Sequence, residues 1–277
     1  MKIARYWTRA QGDAAGIRVT ARGWSDESFD AARRQAQEVA RRVAQRIAQP
    51  TGAPRYPYGD RPLPEPVISE IRGGGGVAAA ITRNAYGALV MNADHMMFVD
   101  IDRLDSGAAA GSKGLFSGLF GKATPTAGES VVDSVRKVAQ RQGLAGRVYR
   151  TAAGYRALIT NRRFTANAPE TEAVLNEFGS DRLYMRLCRL QESFRARLTP
   201  KPWRMKVRQP PVEFPFETAS DQARYREWER EYDAKAVGYA TCAFVSTTWA
   251  GDVLREFEDL IRFHDETTKA SSGLPLA

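Results

Sequence analysis

Apolar positions recur with two different periods along the chain, and the changes between them mark the elements. Residues 1–50 read as a ββα unit. Lys2 to Thr8 and Ile17 to Trp24 suit two strands around the turn-rich segment from Gln11 to Gly16. Behind the N-cap Ser25, residues Phe29, Ala32, Ala36, Val39, Val43 and Ile47 recur every three or four positions, which predicts a helix that Pro50 and Gly52 stop. Its opposite face carries Arg33, Arg34, Arg41, Arg42 and Arg46, a pattern that solubility alone explains.

Residues 51–76 form a Pro/Gly-rich linker in this reading. Five prolines fall between Thr51 and Pro66, a short helix is expected from Val67 to Ile71, and the run Gly73 to Gly76 suits a hairpin tip or linker. Alternation then returns. Val77 to Thr82 and Ala88 to Asn92 read as strands, and the apolar run Met96 to Ile101 reads as a central strand covered on both faces. A Gly/Ala/Ser-rich stretch, 106–128, is expected to be a mobile insertion, and its Gly118 to Thr124 segment lacks the glycine and hydroxyl spacing of a phosphate loop. Val131, Val135 and Val138 mark a helix; Arg147 to Thr151 and Tyr155 to Thr160 mark a hairpin; Asn167 and Pro169 open a further helix that Gly179 closes. Residues 77–205 thus form the central domain. Residues 206–277 follow as a C-terminal helical extension. It has a helical stripe at Tyr225, Trp228 and Tyr232, a strand from Tyr239 to Ser246, a last helix through Val253, Phe257, Leu260 and Ile261, and an end expected to fray from Ser271 to Ala277.

Composition narrows the function classes. With 277 residues, two cysteines and two histidines, the chain lacks the ligands for a Cys/His zinc module and the pairs for a disulfide scaffold. No apolar run is long enough for a spanning helix and no signal segment opens the chain, so a cytoplasmic location is expected; nothing sets an oligomeric state. Lys and Arg number 41 against 32 Asp and Glu, a net charge of +9. Between Arg182 and Arg208 nine basic residues face one acid, Glu192, so that segment alone carries +8. Such a concentration suits phosphate binding, and Tyr184, Phe194 and Trp203 interleave with Arg186, Arg195, Arg197 and Arg204 as in a groove that stacks bases and neutralises phosphates. A solvated basic flank is the plainer reading of the same residues.

Asp100 and Asp102 carry the sharpest chemistry. Residues i and i+2 of a strand share a face, so both carboxylates converge at one strand end. A divalent cation relieves their repulsion, and oxygen-only ligation selects Mg or Mn. Acids capping a strand end and pairing with Arg103 are the bland counterpart. Dehalogenase-type phosphatases require Gly-Thr beyond the aspartates, where this chain has Arg103-Leu104. His95 and His264 fit no catalytic triad, and Cys188 reads as core.

The order of a DxD strand, a helix and a hairpin, Val148-Tyr149-Arg150-Thr151-Ala152-Ala153-Gly154-Tyr155-Arg156-Ala157-Leu158, resembles the palm of the archaeo-eukaryotic primase and primase-polymerase superfamily. The resemblance covers about residues 77–205. It implies an α/β (α+β) fold with a mixed, mainly antiparallel sheet and an RRM-like palm, flanked by the N-terminal ββα unit and the C-terminal helices. It further implies Asp100 and Asp102 as the metal-binding pair and Asp181 as a third catalytic acid. Arg195, Arg197 and Lys201 in Phe194-Arg195-Ala196-Arg197-Leu198-Thr199-Pro200-Lys201-Pro202 stand where the family keeps its later basic motif, with Arg156 and Arg204 as further phosphate ligands. Where the family carries a small residue and a histidine in the hairpin, this chain has Ala153 and Arg156. Arginine holds a phosphate but does not transfer protons at neutral pH. The expected function is metal-dependent handling of nucleotides or nucleic acid, as a nucleotidyl or phosphoryl transferase. The alternative is a non-catalytic nucleic-acid or protein binding module on a degenerate palm.

Overall fold

The computed structural model describes residues 1–48, 61–73, 75–102, 131–248 and 251–277. Strands β1 (Tyr6–Ala14) and β2 (Ile17–Ser25) pair antiparallel, with Tyr6 opposite Ser25, around a turn in which Ala15 and Gly16 both have positive φ. Helix α1 (Phe29–Ala48) lies back across this ribbon. Its buried face is shifted from the one the apolar spacing predicts: Ala32 and Ala36 of that stripe are buried together with Ala40 and Ala44, while Phe29, Val43 and Ile47 are exposed. The cause lies in the strands. Gly12 and Gly23 lack side chains where the helix passes, and a Cβ built on Gly23 would stand 2.2 Å from the Ala32 carbonyl oxygen. Only an alanine face packs that closely.

Two four-stranded sheets follow, and every strand pairing in them is antiparallel. The first runs in the order β3 (Val67–Gly73), β4 (Gly76–Arg83), β5 (Leu89–Ala93) and β9 (Phe194–Arg197). The second runs β10 (Cys242–Thr247), β7 (Gly146–Thr151), β8 (Gly154–Ile159) and β6 (Phe98–Asp102). Between β6 and β7 comes α2 (Val131–Gln142), which preserves the expected sequence of strand, helix and hairpin. Helices α3 (Pro169–Glu177) and α4 (Arg182–Gln191) lead into β9, and α5 (Ala219–Ala236) and α6 (Arg255–Thr268) flank β10. One apolar core joins both sheets: Ile81 and Met91 pack in the same cluster as Phe98, Val99, Leu158, Val135 and Phe257. A smaller cluster gathers Met205, Tyr225, Trp228, Tyr232 and Ala277. The α+β class, the N-terminal ββα unit and the C-terminal helices are as the sequence predicts.

Three boundaries move. Val67 to Ile71 form an edge strand, not a helix; Ile68, Ser69 and Glu70 carry too few apolar positions for either period to show, and pairing with β4 decides. Gly73 stands opposite Gly76, as a hairpin tip there requires, and Gly75 has a φ of +88°; Gly74 lies outside the described residues. The C-terminal segment is no appended extension, because β10 completes a sheet beside β7 and α6 contributes Phe257 and Leu260 to the main core. Nor does its end fray: the Ala277 N–H donates to the Ala240 carbonyl at 3.0 Å, and Ala277 is buried. Both ends of that segment are tied, which suppresses the fraying usual at termini. Most of the Pro-rich stretch and the whole 106–128 insertion lie outside the described residues. Among the described residues no helix is long and apolar enough to cross a membrane.

Candidate functional site

Asp100 and Asp102 end β6, the edge strand of the second sheet, where Asp100 stands opposite Arg156 of β8 and Asp102 opposite Gly154. Val99 and Ile101 point into the core, so the two aspartates share the other face. Asp102 is exposed and Asp100 is partly covered. Burial raises the Asp100 carboxyl above its ordinary range, Arg156 draws it back, and the neighbouring Asp102 pushes it up again.

The other wall comes from the first sheet. Along β9, Phe194 and Ala196 are buried while Arg195 and Arg197 alternate onto the opposite face. Beyond β9 the chain passes Lys201 and enters a single 3-10 turn, Pro202–Met205, anchored by the buried Pro202 and Met205. The two walls enclose a cleft of about 370 Å³ lined by Asp100, Asp102, Arg156, Arg195, Arg197, Lys201 and Arg204. Seven of the eight residues that the sequence singles out therefore meet in one cavity, although they come from two sheets and the turn that follows β9.

Their states differ. The Arg195 guanidinium is already engaged, paired with the buried carboxylate of Glu65 at 2.7 Å and hydrogen-bonded to Asn92, so it is a structural cation and not a free phosphate ligand. Arg156 donates from Nη1 to the Arg197 carbonyl at 3.0 Å and faces His264 Nε2 at 3.2 Å. Because a guanidinium only donates, Nε2 accepts, and the proton sits on Nδ1, 2.9 Å from Asp265 Oδ1. Burial pushes His264 down to about 4, which keeps the ring neutral and able to accept. Asp265 in turn accepts from Tyr149 at 2.6 Å and Arg147 at 2.8 Å.

Arg197, Lys201 and Arg204 lack such carboxylate partners among the described residues. Burial, with Arg156 close by, brings Arg197 down to about 10, and burial with Arg197 and Arg204 nearby lowers Lys201. Nη1 of Arg204 is buried without a hydrogen-bond partner. Three crowded cations, two of them with weakened hold on their protons and one with an orphaned donor, form a wall that an anion would relieve.

Asp181 does not line the cleft. Its carboxylate caps α4, accepting from the Tyr184 N–H at 2.7 Å, while its own N–H donates to the Asp100 carbonyl at 2.8 Å. It stands beside Asp100 as a helix cap, the use to which an aspartate before a helix is commonly put. Tyr184 and Phe194 are also withdrawn from base stacking, since both are buried in the main core and the Tyr184 hydroxyl bonds the Phe98 carbonyl at 2.9 Å. Trp203 alone of the three is open. The basic residues divide accordingly: Arg182, Arg186 and Arg189 of α4 line a separate depression beside Glu172, while Arg195, Arg197, Lys201 and Arg204 line the cleft.

Three further cleft features come from distant sequence: Glu65, the neutral His264 behind Arg156, and Tyr86 at the β4–β5 turn. Tyr86 is placed by Gly87, whose φ of +90° and contact with the edge of Trp228 exclude any side chain. That glycine in a short turn is a readable signal; His264, more than a hundred residues from Arg156, leaves none. Among the described residues no three His, Cys, Asp or Glu side chains assemble into a group that could hold a metal. No family model, curated protein or solved structure matches the chain.

Proposed function

We propose that the protein handles nucleotides or nucleic acid through a divalent-metal and polyphosphate cleft on a primase-like palm, and that its chemistry is nucleotidyl or phosphoryl transfer. One observation carries this reading: the paired carboxylates Asp100 and Asp102 share a single cavity with Arg197, Lys201 and Arg204, cations that have no carboxylate partner among the described residues, and Nη1 of Arg204 has no hydrogen-bond partner at all. The order β6, α2, β7, β8 supports it, as does the position of the later basic motif on the wall opposite the aspartates.

Asp100 and Asp102 fit Mg or Mn as a two-carboxylate set, since magnesium commonly takes one or two protein carboxylates and completes its octahedron with water and substrate phosphate. A bound divalent ion supplies charge neutralisation at a phosphoryl group and orientation of the oxygens around it. The chain's own part is to hold the phosphates. Arg197 and Arg204 offer bidentate donors and Lys201 a point charge. Arg156, fixed from behind by His264, lies between the two walls beside Asp100 and keeps the carboxylate and the cations in register.

The non-catalytic alternative draws on a specific feature too. The hairpin position that holds a histidine in the primase family holds Arg156 here, and a guanidinium does not shuttle protons at pH 7. Thermal melting with Mg²⁺ or Mn²⁺ separates the two. Metal binding to the native state alone stabilises it by about 2.7 kcal/mol at a hundredfold excess over Kd. A rise in Tm for the wild-type chain that vanishes in the Asp100→Asn, Asp102→Asn variant supports the metal reading. No rise, or an equal rise in both proteins, leaves only the binding module.

A further inference from the structure

The cations of the cleft would accept phosphate from any source, including inorganic chains, and do not by themselves select a nucleotide. Two aromatic rings beside them add what they lack. Trp203 sits on the 3-10 turn between the buried Pro202 and Met205, so its backbone is fixed, yet its side chain is 47% exposed. Tyr86 meets it edge-on, with ring centroids 5.3 Å apart and planes at 65°. Lys201 Nζ lies 5.4 Å from the Trp203 ring centroid. Tyr86 is held in turn by the Gly87 turn packed on Trp228. Tyr86, Lys201 and Arg204 all line the cleft, and Trp203 lies between Lys201 and Arg204 in the chain.

An aromatic pair beside a phosphate-binding wall, Trp203 exposed and Tyr86 half-buried, has the composition of a base subsite: an aromatic face for stacking, adjoining cations for the phosphates. We propose that Tyr86 and Trp203 form the base-binding subsite of the cleft, so that its ligand is a nucleoside polyphosphate with its base on Trp203 and its phosphates among Arg197, Lys201 and Arg204. This rests on the reading of the cleft as a polyphosphate site and adds the part that distinguishes a nucleotide from bare phosphate.

Calorimetric titration of the full chain with ATP and with inorganic tripolyphosphate tests the two separately. ATP should bind roughly tenfold or more tightly than tripolyphosphate, the increment that stacking on an aromatic side chain supplies. Trp203→Ala should bring ATP to the tripolyphosphate affinity and leave tripolyphosphate unchanged, whereas Trp203→Phe, which keeps a stacking face, should retain most of the preference and show that the turn is intact. Equal binding of the two ligands by the wild-type chain, or a preference that survives Trp203→Ala, overturns the base subsite and leaves the polyphosphate cleft standing. Binding of neither ligand overturns the cleft reading and the subsite with it.

Discussion

Arg156 keeps its place in the cleft through a neutral histidine, and that arrangement makes the protein sensitive to acid. His264 is fully buried among Arg156, Asp265 and Tyr149, and burial holds it down to about 4 against an ordinary 6.5. The unfolded chain therefore takes up the histidine proton first as pH falls. Stability from this residue is complete above about pH 6.5 and is lost progressively down to about pH 4, a total of roughly 3 kcal/mol. Asp265, whose carboxyl is held below its usual range although burial opposes this, keeps its contribution through that window and loses it only at lower pH. Urea unfolding at pH 7.5 and pH 4.5 should show His264→Gln losing about 2 kcal/mol less than the wild type over the interval. Parallel losses in the two proteins would remove His264 from the account. None of this could be seen in the sequence, which presents His264 only as a histidine without a catalytic context. Asp100 and Asp102 were legible because the two-residue period of a strand needs no partner to put them on one face. Asp181 stands two residues after Gly179 and just before a helix, a place where an acid also serves as a cap, and its carboxylate caps α4.

At the level of elements, small residues decided what larger ones suggested. The apolar spacing in α1 points to Phe29, Ala32, Ala36, Val39, Val43 and Ile47 as the packed face; Ala32 and Ala36 do pack, but with Ala40 and Ala44 in place of the larger residues, because Gly12 and Gly23 let the helix approach the ribbon. Gly23→Ala should cost about 1–3 kcal/mol in thermal or urea unfolding, since its new methyl would meet helix backbone at Ala32 and Ala36 and α1 would have to lift. Gly76→Ala, with nothing near its Cβ position and no positive φ, is the matched control and should change stability by less than about 0.5 kcal/mol. Equal effects would mean that the close approach is not what seats α1. Strand β9 escaped the periodic reading for a related reason: Phe194-Arg195-Ala196-Arg197 is four residues of which two are arginine, and its alternation is hidden inside a longer run of positive charge. The hairpin β7–β8 was legible because Val148, Ala157 and Leu158 sit in segments bounded by Gly154 and Thr151, with β-compatible residues on both sides.

Across the whole molecule, the basic stretch of residues 182–208 was visible as a total of charge, but its division was not. The fold sends Arg182, Arg186 and Arg189 to the outside of α4, ties Arg195 to Glu65, and leaves Arg197, Lys201 and Arg204 facing the aspartates. That last juxtaposition joins β6 of one sheet to β9 of the other, a long-range pairing for which no local pattern exists. If the two walls act as one site, metal at the aspartates and phosphate at the cations must assist each other. Tripolyphosphate affinity measured with and without Mn²⁺, for the wild type and for Asp100→Asn, Asp102→Asn, tests this most directly. Mn²⁺ should tighten binding to the wild type at least about tenfold more than to the double variant, while the metal-free affinities of the two stay alike or favour the variant, which has lost two negative charges. The same response to Mn²⁺ in both proteins would contradict it.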